Sequence, residues 1–205
     1  MTKLAIFGAG GLGKEALTIL YAVNAEKEKY DFIGFFDENK TGEHVIGNLD
    51  TLNSWKDNIK VIVAVGSPRQ KEDIISRIKN SQVGFETIVH PRVVMGDKSK
   101  ITIGKGCIIG AGAILTTDVI LGDHILINLN VTVGHDVAIG SYSSIMPGVN
   151  IAGGVVLEEG VFVGAGANII NSVTAKAGST IGAGAVVVKE VEASTTVVGI
   201  PARKI

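Results

Sequence analysis

From residue 101 to residue 190 one pattern of apolar and polar positions repeats every six residues. The stretch reads ITIGKG, CIIGAG, AILTTD, VILGDH, ILINLN, VTVGHD, VAIGSY and on to AVVVKE. The third position is Ile, Leu or Val from Ile103 through Val133 and Ile151 to Val187, with Ala175 the one exception. The first position is small or Val, as in Cys107, Ala113, Val131 and Ser143. Gly is frequent at the turns, where it takes positive φ without steric cost. A fixed period of six predicts a parallel β-helix, one short strand and one turn per hexad and three hexads per coil. No hexad can bury its aliphatic face alone, so stability has to come from stacked neighbours. Fifteen hexads give five coils, a prism roughly 24 Å tall at the ~4.8 Å spacing of strands.

Residues 1–90 follow a different pattern. An apolar run over 3–7 leads into Gly8-Ala9-Gly10-Gly11-Leu12-Gly13 and then a helical spacing through Ala16, Leu17, Leu20 and Val23. Further strands are predicted over 32–36, closed by Asp37, over 59–65, ending at Gly66, and over 87–89 as the fourth. Helices are expected over 49–55 and 69–79. Alternating strands and helices imply a parallel, doubly wound sheet. The expected organisation is a small Rossmann-like α/β domain over 1–90 and an all-β helix with a C-terminal cap over 91–205. Hexads stop after Glu190, and Val197-Val-Gly-Ile-Pro-Ala202 closes the chain with a turn and a short basic tail.

Composition narrows the function classes. A formal net charge of −1 and the absence of any block of like charge point away from nucleic acid or a membrane surface. The N-terminus lacks the basic region and long apolar core of a signal peptide. No apolar run reaches the ~20 residues that span a bilayer. One cysteine, Cys107, sits at an inward position and reads as core, which suits a reducing cytoplasm. No metal is expected: the four histidines are scattered and carboxylates do not cluster at ligand spacing. The G-x-S-x-G elbow of a serine hydrolase is missing.

Two stretches carry candidate chemistry. Gly8-x-Gly10-x-x-Gly13 lies between a strand and a helix, the context in which backbone N–H groups cradle phosphate. Asp37 follows the second strand, where a carboxylate can accept from ribose or a base. A nicotinamide dehydrogenase would share these features, but the domain has room for only one mononucleotide unit. In the repeat, His135 follows Gly134 at a turn and precedes Asp136, an acid that can orient the ring of a general base. His124, eleven residues earlier, has its acid before it and reads as a turn residue, and His44 and His90 are assigned no role. One coil of 18 residues above His135 lies Gly153, whose N–H could meet an oxyanion.

The glycine turn, the acid after the second strand, Ala64-Val65-Gly66 and the fused hexapeptide helix together resemble the bacterial sugar acetyltransferases of the PglD/NeuD-like group. The resemblance covers the whole chain and supplies the left hand of the helix. It implies acetyl-CoA as cosubstrate and N-acetylation of a nucleotide-linked amino sugar, a 4-amino-4,6-dideoxyhexose for a surface glycan such as an O-antigen. O-acetylation of a sugar such as sialic acid, and a non-catalytic nucleotide-sugar scaffold, are the alternatives. By this resemblance His135 is the base in the family's N-x6-H-[DE] pattern, with Asp136, Gly153 and Asn128 beside it. Gly10, Gly11, Leu12, Asp37, Glu38 and Gly66 would hold the nucleotide-sugar. Many relatives have His at the position of Leu12, and close relatives have a second, acetyl-CoA-contacting His at the position of Ser144. Ala165 and Ala183 would line the pantetheine path between neighbours in a cytoplasmic homotrimer.

Overall fold

A computed structural model describes residues 1–42 and 44–205. The small domain runs β1 (Thr2–Phe7), α1 (Gly11–Glu26), β2 (Tyr30–Phe36), β3 (Val45–Gly47), α2 (Leu49–Asn53), β4 (Ile59–Val63), α3 (Pro68–Arg77) and β5 (Val83–Phe85). Its five strands are all parallel in the order β3-β2-β1-β4-β5. The strand order reverses between β1 and β4, which opens a crevice at their carboxyl ends. Leu4, Ile6 and Ile62 pack toward α1 on one face, while Ala5, Phe7, Val61 and Val63 face α2 and α3 on the other. Both faces are covered, as an all-parallel sheet requires.

The remainder is three parallel sheets stacked as a β-helix, with eighteen-residue registers such as Thr132↔Asn150 and Val133↔Ile151. The aliphatic third positions form one continuous buried column, Ala175 included. The sixth position of the first fourteen hexads takes positive φ: eight are glycine, and the other six are Asp118, His124, Asn130, Asp136, Tyr142 and Ser172. Asp and Asn tolerate this conformation better than most side chains.

Two strand expectations need correction. Ile88–Val89 is not in the small domain's sheet. It pairs with Ile108–Ile109 and starts the β-helix, while Val83–Phe85 takes the sheet edge beside β4. The first coil spans twenty residues, with Val94 against Ile114, because a 3₁₀ turn at Lys98–Lys100 adds two. That insertion is why the hexad frame cannot be carried below Ile101. Stacking also continues past Glu190, at a sixteen-residue interval: Thr180 pairs with Thr196, and Ala175 bridges Val191. Arg203–Lys204 then turns back antiparallel on Val197 and Val198, covering a strand edge that would otherwise invite pairing with another chain.

The two parts share a core. Ile88, Ile108 and Leu126, on the outer side of one β-helix sheet, are buried against Ala16, Ile19 and Leu20 of α1 and Tyr30 and Phe35 of β2. Equivalent second positions on the other two sheets, Ile114, Ile120 and Val156, remain exposed. The small domain is thus seated on one flank of the prism by apolar burial.

Candidate active site

The crevice at the β1/β4 switch is an open cleft of about 700 Å³, lined by Gly8, Asp37, Glu38, Ser67, Arg69, Gln70 and Arg77 among others. Close packing shapes its floor. A Cβ on Gly8 would lie 2.7 Å from the Ala64 carbonyl oxygen, and one on Gly13 would overlap the Gly8 carbonyl. Only glycines let α1 start this near the end of β1. Gly10 caps α1 with no side-chain hydrogen bond, and a Cβ on Gly11 or Gly66 would meet open space. The helix N-terminus therefore keeps a bare, positively polarised end.

Asp37 does more locally than its position in the sequence suggests. One carboxylate oxygen accepts from Ala9 N–H at 2.7 Å, and the other accepts from Asn39 and Lys40 N–H, each at 2.9 Å. Burial pushes its carboxyl up, but the three backbone donors and Lys40 outweigh burial and hold it below the usual carboxylate range. Asp37 thus ties the glycine turn to the end of β2. Glu38 pairs with Arg77 at 3.1 Å, and Arg77 also reaches Asp73 at 3.2 Å.

Arg69, Gln70 and Arg77 were not singled out from the sequence. Their signal was present in Ser67-Pro68, an N-cap followed by Pro at the first helical position. Ser67 accepts from Gln70 N–H and starts α3, so Arg69, Asp73 and Arg77 recur every fourth residue along the face that lines the cleft. Leu12 lies elsewhere: it packs into the shared apolar core and lines a 140 Å³ pocket with His90, Asn128 and Leu129.

On the β-helix, His135 follows the strand Thr132–Val133 at a corner, with its side chain 61% exposed. Its Nδ1 is 2.7 Å from Asp136 Oδ2. Asp136 can turn back on its neighbour because it takes the left-handed turn position, at φ +57°. With Nδ1 engaged, Nε2 is the nitrogen left for other work. The eighteen-residue register puts Gly153 under the ring: a Cβ there would lie 2.5 Å from His135 Cε1 and nearer still to Nε2. Among the described residues the Gly153 N–H donates to nothing, as at most fifth positions of the repeat.

The other anticipated residues do not converge on His135 within one chain. Asn128 follows Leu126–Ile127, is buried, and accepts from Leu129 N–H at 2.7 Å. Ala165 and Ala183 follow Phe162–Val163 and Thr180–Ile181 of that same sheet and are exposed. These three line one corner of the prism, and His135 and Gly153 line the next. Ser144 needs correction as a coenzyme contact. It pairs beside Leu126 in the row that the small domain covers, has no exposed surface, and accepts from Lys71 Nζ at 3.0 Å. His124 does occupy a turn, but it is only 2% exposed, edge-on to Phe85 and stacked on Tyr142.

Among the described residues no group of three His, Cys, Asp or Glu is placed to hold a metal, and no helix is long and apolar enough to cross a membrane.

Residues 3–78 match the family model of the PglD N-terminal domain. No curated protein matches the chain. Among solved structures, the acetyltransferase domain of PglB from Neisseria gonorrhoeae, in complex with acetyl coenzyme A, is 30% identical over 99% of this chain and 98% of its own, with a TM-score of 0.90. A mutant perosamine N-acetyltransferase from Caulobacter crescentus, in complex with CoA and GDP-perosamine, is 26% identical over 100% of this chain and 97% of its own, with a TM-score of 0.90. WeeI from Acinetobacter baumannii is 27% identical over 100% of both chains, with a TM-score of 0.86. Similarity of this extent takes in the α/β domain and the left-handed parallel β-helix alike, and the chain belongs to the bacterial sugar acetyltransferases of the PglD/NeuD-like group.

Proposed function

We propose that the chain transfers acetyl from acetyl-CoA to the amino group of a nucleotide-linked amino sugar, a 4-amino-4,6-dideoxyhexose made in the cytoplasm for a surface glycan. The observation that carries the reading is the corner at His135. An imidazole held at Nδ1 by Asp136 lies where a Gly153 side chain would stand, and among the described residues the Gly153 N–H donates to nothing. That arrangement has the two parts acyl transfer needs, a base for the incoming nucleophile and a donor for the oxyanion.

In this mechanism the sugar amine attacks the thioester carbonyl as His135 Nε2 removes its proton. The C–N bond forms, and the charge on oxygen is met by Gly153 N–H. Collapse breaks the C–S bond, CoA leaves as the thiolate, and the imidazolium returns the proton to sulfur. No acyl-enzyme forms. Asp136 keeps the ring oriented with Nε2 outward. The small domain's cleft, lined by Asp37 and Glu38, holds the nucleotide, with phosphates toward the start of α1 at Gly10 and Gly11 and with Gly66, which follows β4, alongside. A homotrimer accounts for the two corners: Asn128, Ala165 and Ala183 of one copy would meet His135 and Gly153 of the next, with acetyl-CoA between them.

A panel of UDP-, dTDP-, GDP- and CMP-linked 4-amino sugars, each with its 4-hydroxy counterpart, tests this by CoA release. Turnover confined to amines is expected. Turnover confined to hydroxyl acceptors would replace this reading with O-acetylation, and release with none would leave a scaffold. Replacing Asp37 with Ala should raise the KM for the nucleotide-sugar several-fold and leave that for acetyl-CoA unchanged, since the lost contacts lie in the small domain. Steady-state kinetics with each substrate varied in turn will check it: equal movement of both constants would remove Asp37 from acceptor binding. Asp136→Asn keeps the shape but loses the charge facing Nδ1. It should lower kcat by about tenfold or more through poorer orientation and weaker stabilisation of the imidazolium. An unchanged kcat would show that the 2.7 Å contact plays no part in turnover.

A further inference from the structure

Lys71 is charged by nature, yet only 2% of it is exposed. It projects from α3 across the domain seam, where Nζ donates to Ser144 Oγ at 3.0 Å and to the Ser143 carbonyl at 3.3 Å. Among the described residues it forms no ion pair. The side chains nearest it, Ser143, Ser144 and His124, are buried as well. Burial pushes the Cys107 thiol up and the His124 imidazole down to about 4, and beyond them lie Asp123 and Lys105. Ser143 is fixed in turn: its hydroxyl donates to the Glu158 carbonyl and accepts from Val161 N–H. The amine is thus bonded to a rigid part of the β-helix.

The other end of this link is the cleft. Lys71 shares α3 with Arg69, Gln70, Asp73 and Arg77, all of which line it. The buried apolar cluster between the domains draws on α1 and β2 and on no residue of α3, and Phe85 of β5 adds an edge-on contact to His124. We propose that Lys71 is a positioning residue: its buried amine pins α3 to Ser143 and Ser144, and so fixes where the cleft presents its occupant relative to the β-helix. This rests on the reading of the cleft as the nucleotide-sugar site. A buried link of this kind fixes geometry through the direction of its hydrogen bonds, and leaving Ser144 Oγ or Lys71 Nζ without its partner would cost the desolvation of the group left behind.

Burial also lowers the amine's pKa from the usual 10.5 to about 7, with the nearby Cys107 opposing the shift. Between those values the unfolded chain binds more protons than the folded one. Stability from this group is therefore absent below pH 7, grows as pH rises, and is complete above 10.5.

The test uses the intact protein with Lys71→Met, Ser144→Ala and the double variant. Hydrogen–deuterium exchange over residues 67–77 should rise in Lys71→Met and, less strongly, in Ser144→Ala. The double variant should match Lys71→Met, because both changes break one link. With acetyl-CoA and GDP-perosamine as the first acceptor probe, followed by the other nucleotide-sugars, acceptor kcat/KM should fall roughly tenfold, as for one lost buried hydrogen bond to an amine. The KM for acetyl-CoA should hold. Between pH 7 and 9 the wild type should gain Tm relative to Lys71→Met. Unchanged exchange in Lys71→Met overturns the pin whatever the acceptor. Raised exchange with unchanged acceptor kcat/KM overturns the positioning role. If wild type turns over no nucleotide-sugar, the acceptor reading fails instead, and exchange with Tm still decides whether the pin exists.

Discussion

His135→Ala should lower kcat by about 10²–10⁴-fold, the usual worth of a general base. The methyl that remains cannot take a proton from the attacking amine, and neither His124, 2% exposed and stacked on Tyr142, nor Ser144, closed off under the small domain, can replace it. Binding of acetyl-CoA should hardly change, because the lost interaction belongs to the transition state. The fold should hold as well, since the side chain is 61% exposed and packs on no apolar neighbour in the buried column. Calorimetric titration of acetyl-CoA alongside single-turnover rates separates the two effects. Near-wild-type turnover would remove His135 from the mechanism.

Gly153→Ala should come close to the same loss without touching the histidine in sequence. All three atoms nearest the new methyl are imidazole atoms of His135, so the ring has to swing away. Gly153 does not sit in the left-handed region, so its backbone accepts Ala without strain. The damage therefore falls on the ring's position rather than on the coil. We expect kcat down by about 10²-fold or more, the cost of a misplaced catalytic group, with Tm nearly unchanged. Adding Gly153→Ala to His135→Ala should cost little further, because residues that act as a unit are not additive. A fully additive double variant, or a single variant with normal kcat, would separate Gly153 from the ring.

The repeat was legible because one-sided burial leaves a strict period. Every third position from Ile103 to Val187 enters the same column, and the frame alone puts Gly153 eighteen residues above His135. Adjacency made the His135–Asp136 pair readable in the same way. What stayed hidden came from contacts between the domains. Ile88-Val89 suits either sheet, and the two residues added at Lys98–Lys100 break the frame that would have claimed it for the β-helix. Second positions look alike along the sequence, yet Leu126 and Ser144 are covered while Ile114 and Ile120 are bare, a difference set by where α1 and α3 sit. Lys71 stands three, four and seven residues before Ile74, Ile75 and Ile78, the spacing of one inward helix face, but its charge marks it as a surface residue and hides the burial.

The left-handed turn at every sixth residue gives the β-helix a phase, and phase restricts how such a chain can change length. Deleting one hexad below His135 would leave the column filled, since every hexad offers the same inward residue. It would also rotate everything above by a third of a revolution against the flank at Ile108 and Leu126, where the small domain sits. The corner at His135 would then face away from the cleft on a prism whose column is still filled. Within the uniform coils, length is therefore quantised for the heading of that corner but not for the column: a whole coil of eighteen residues keeps the heading, a single hexad does not, and a small turn insertion such as the two residues at Lys98–Lys100 leaves it unchanged.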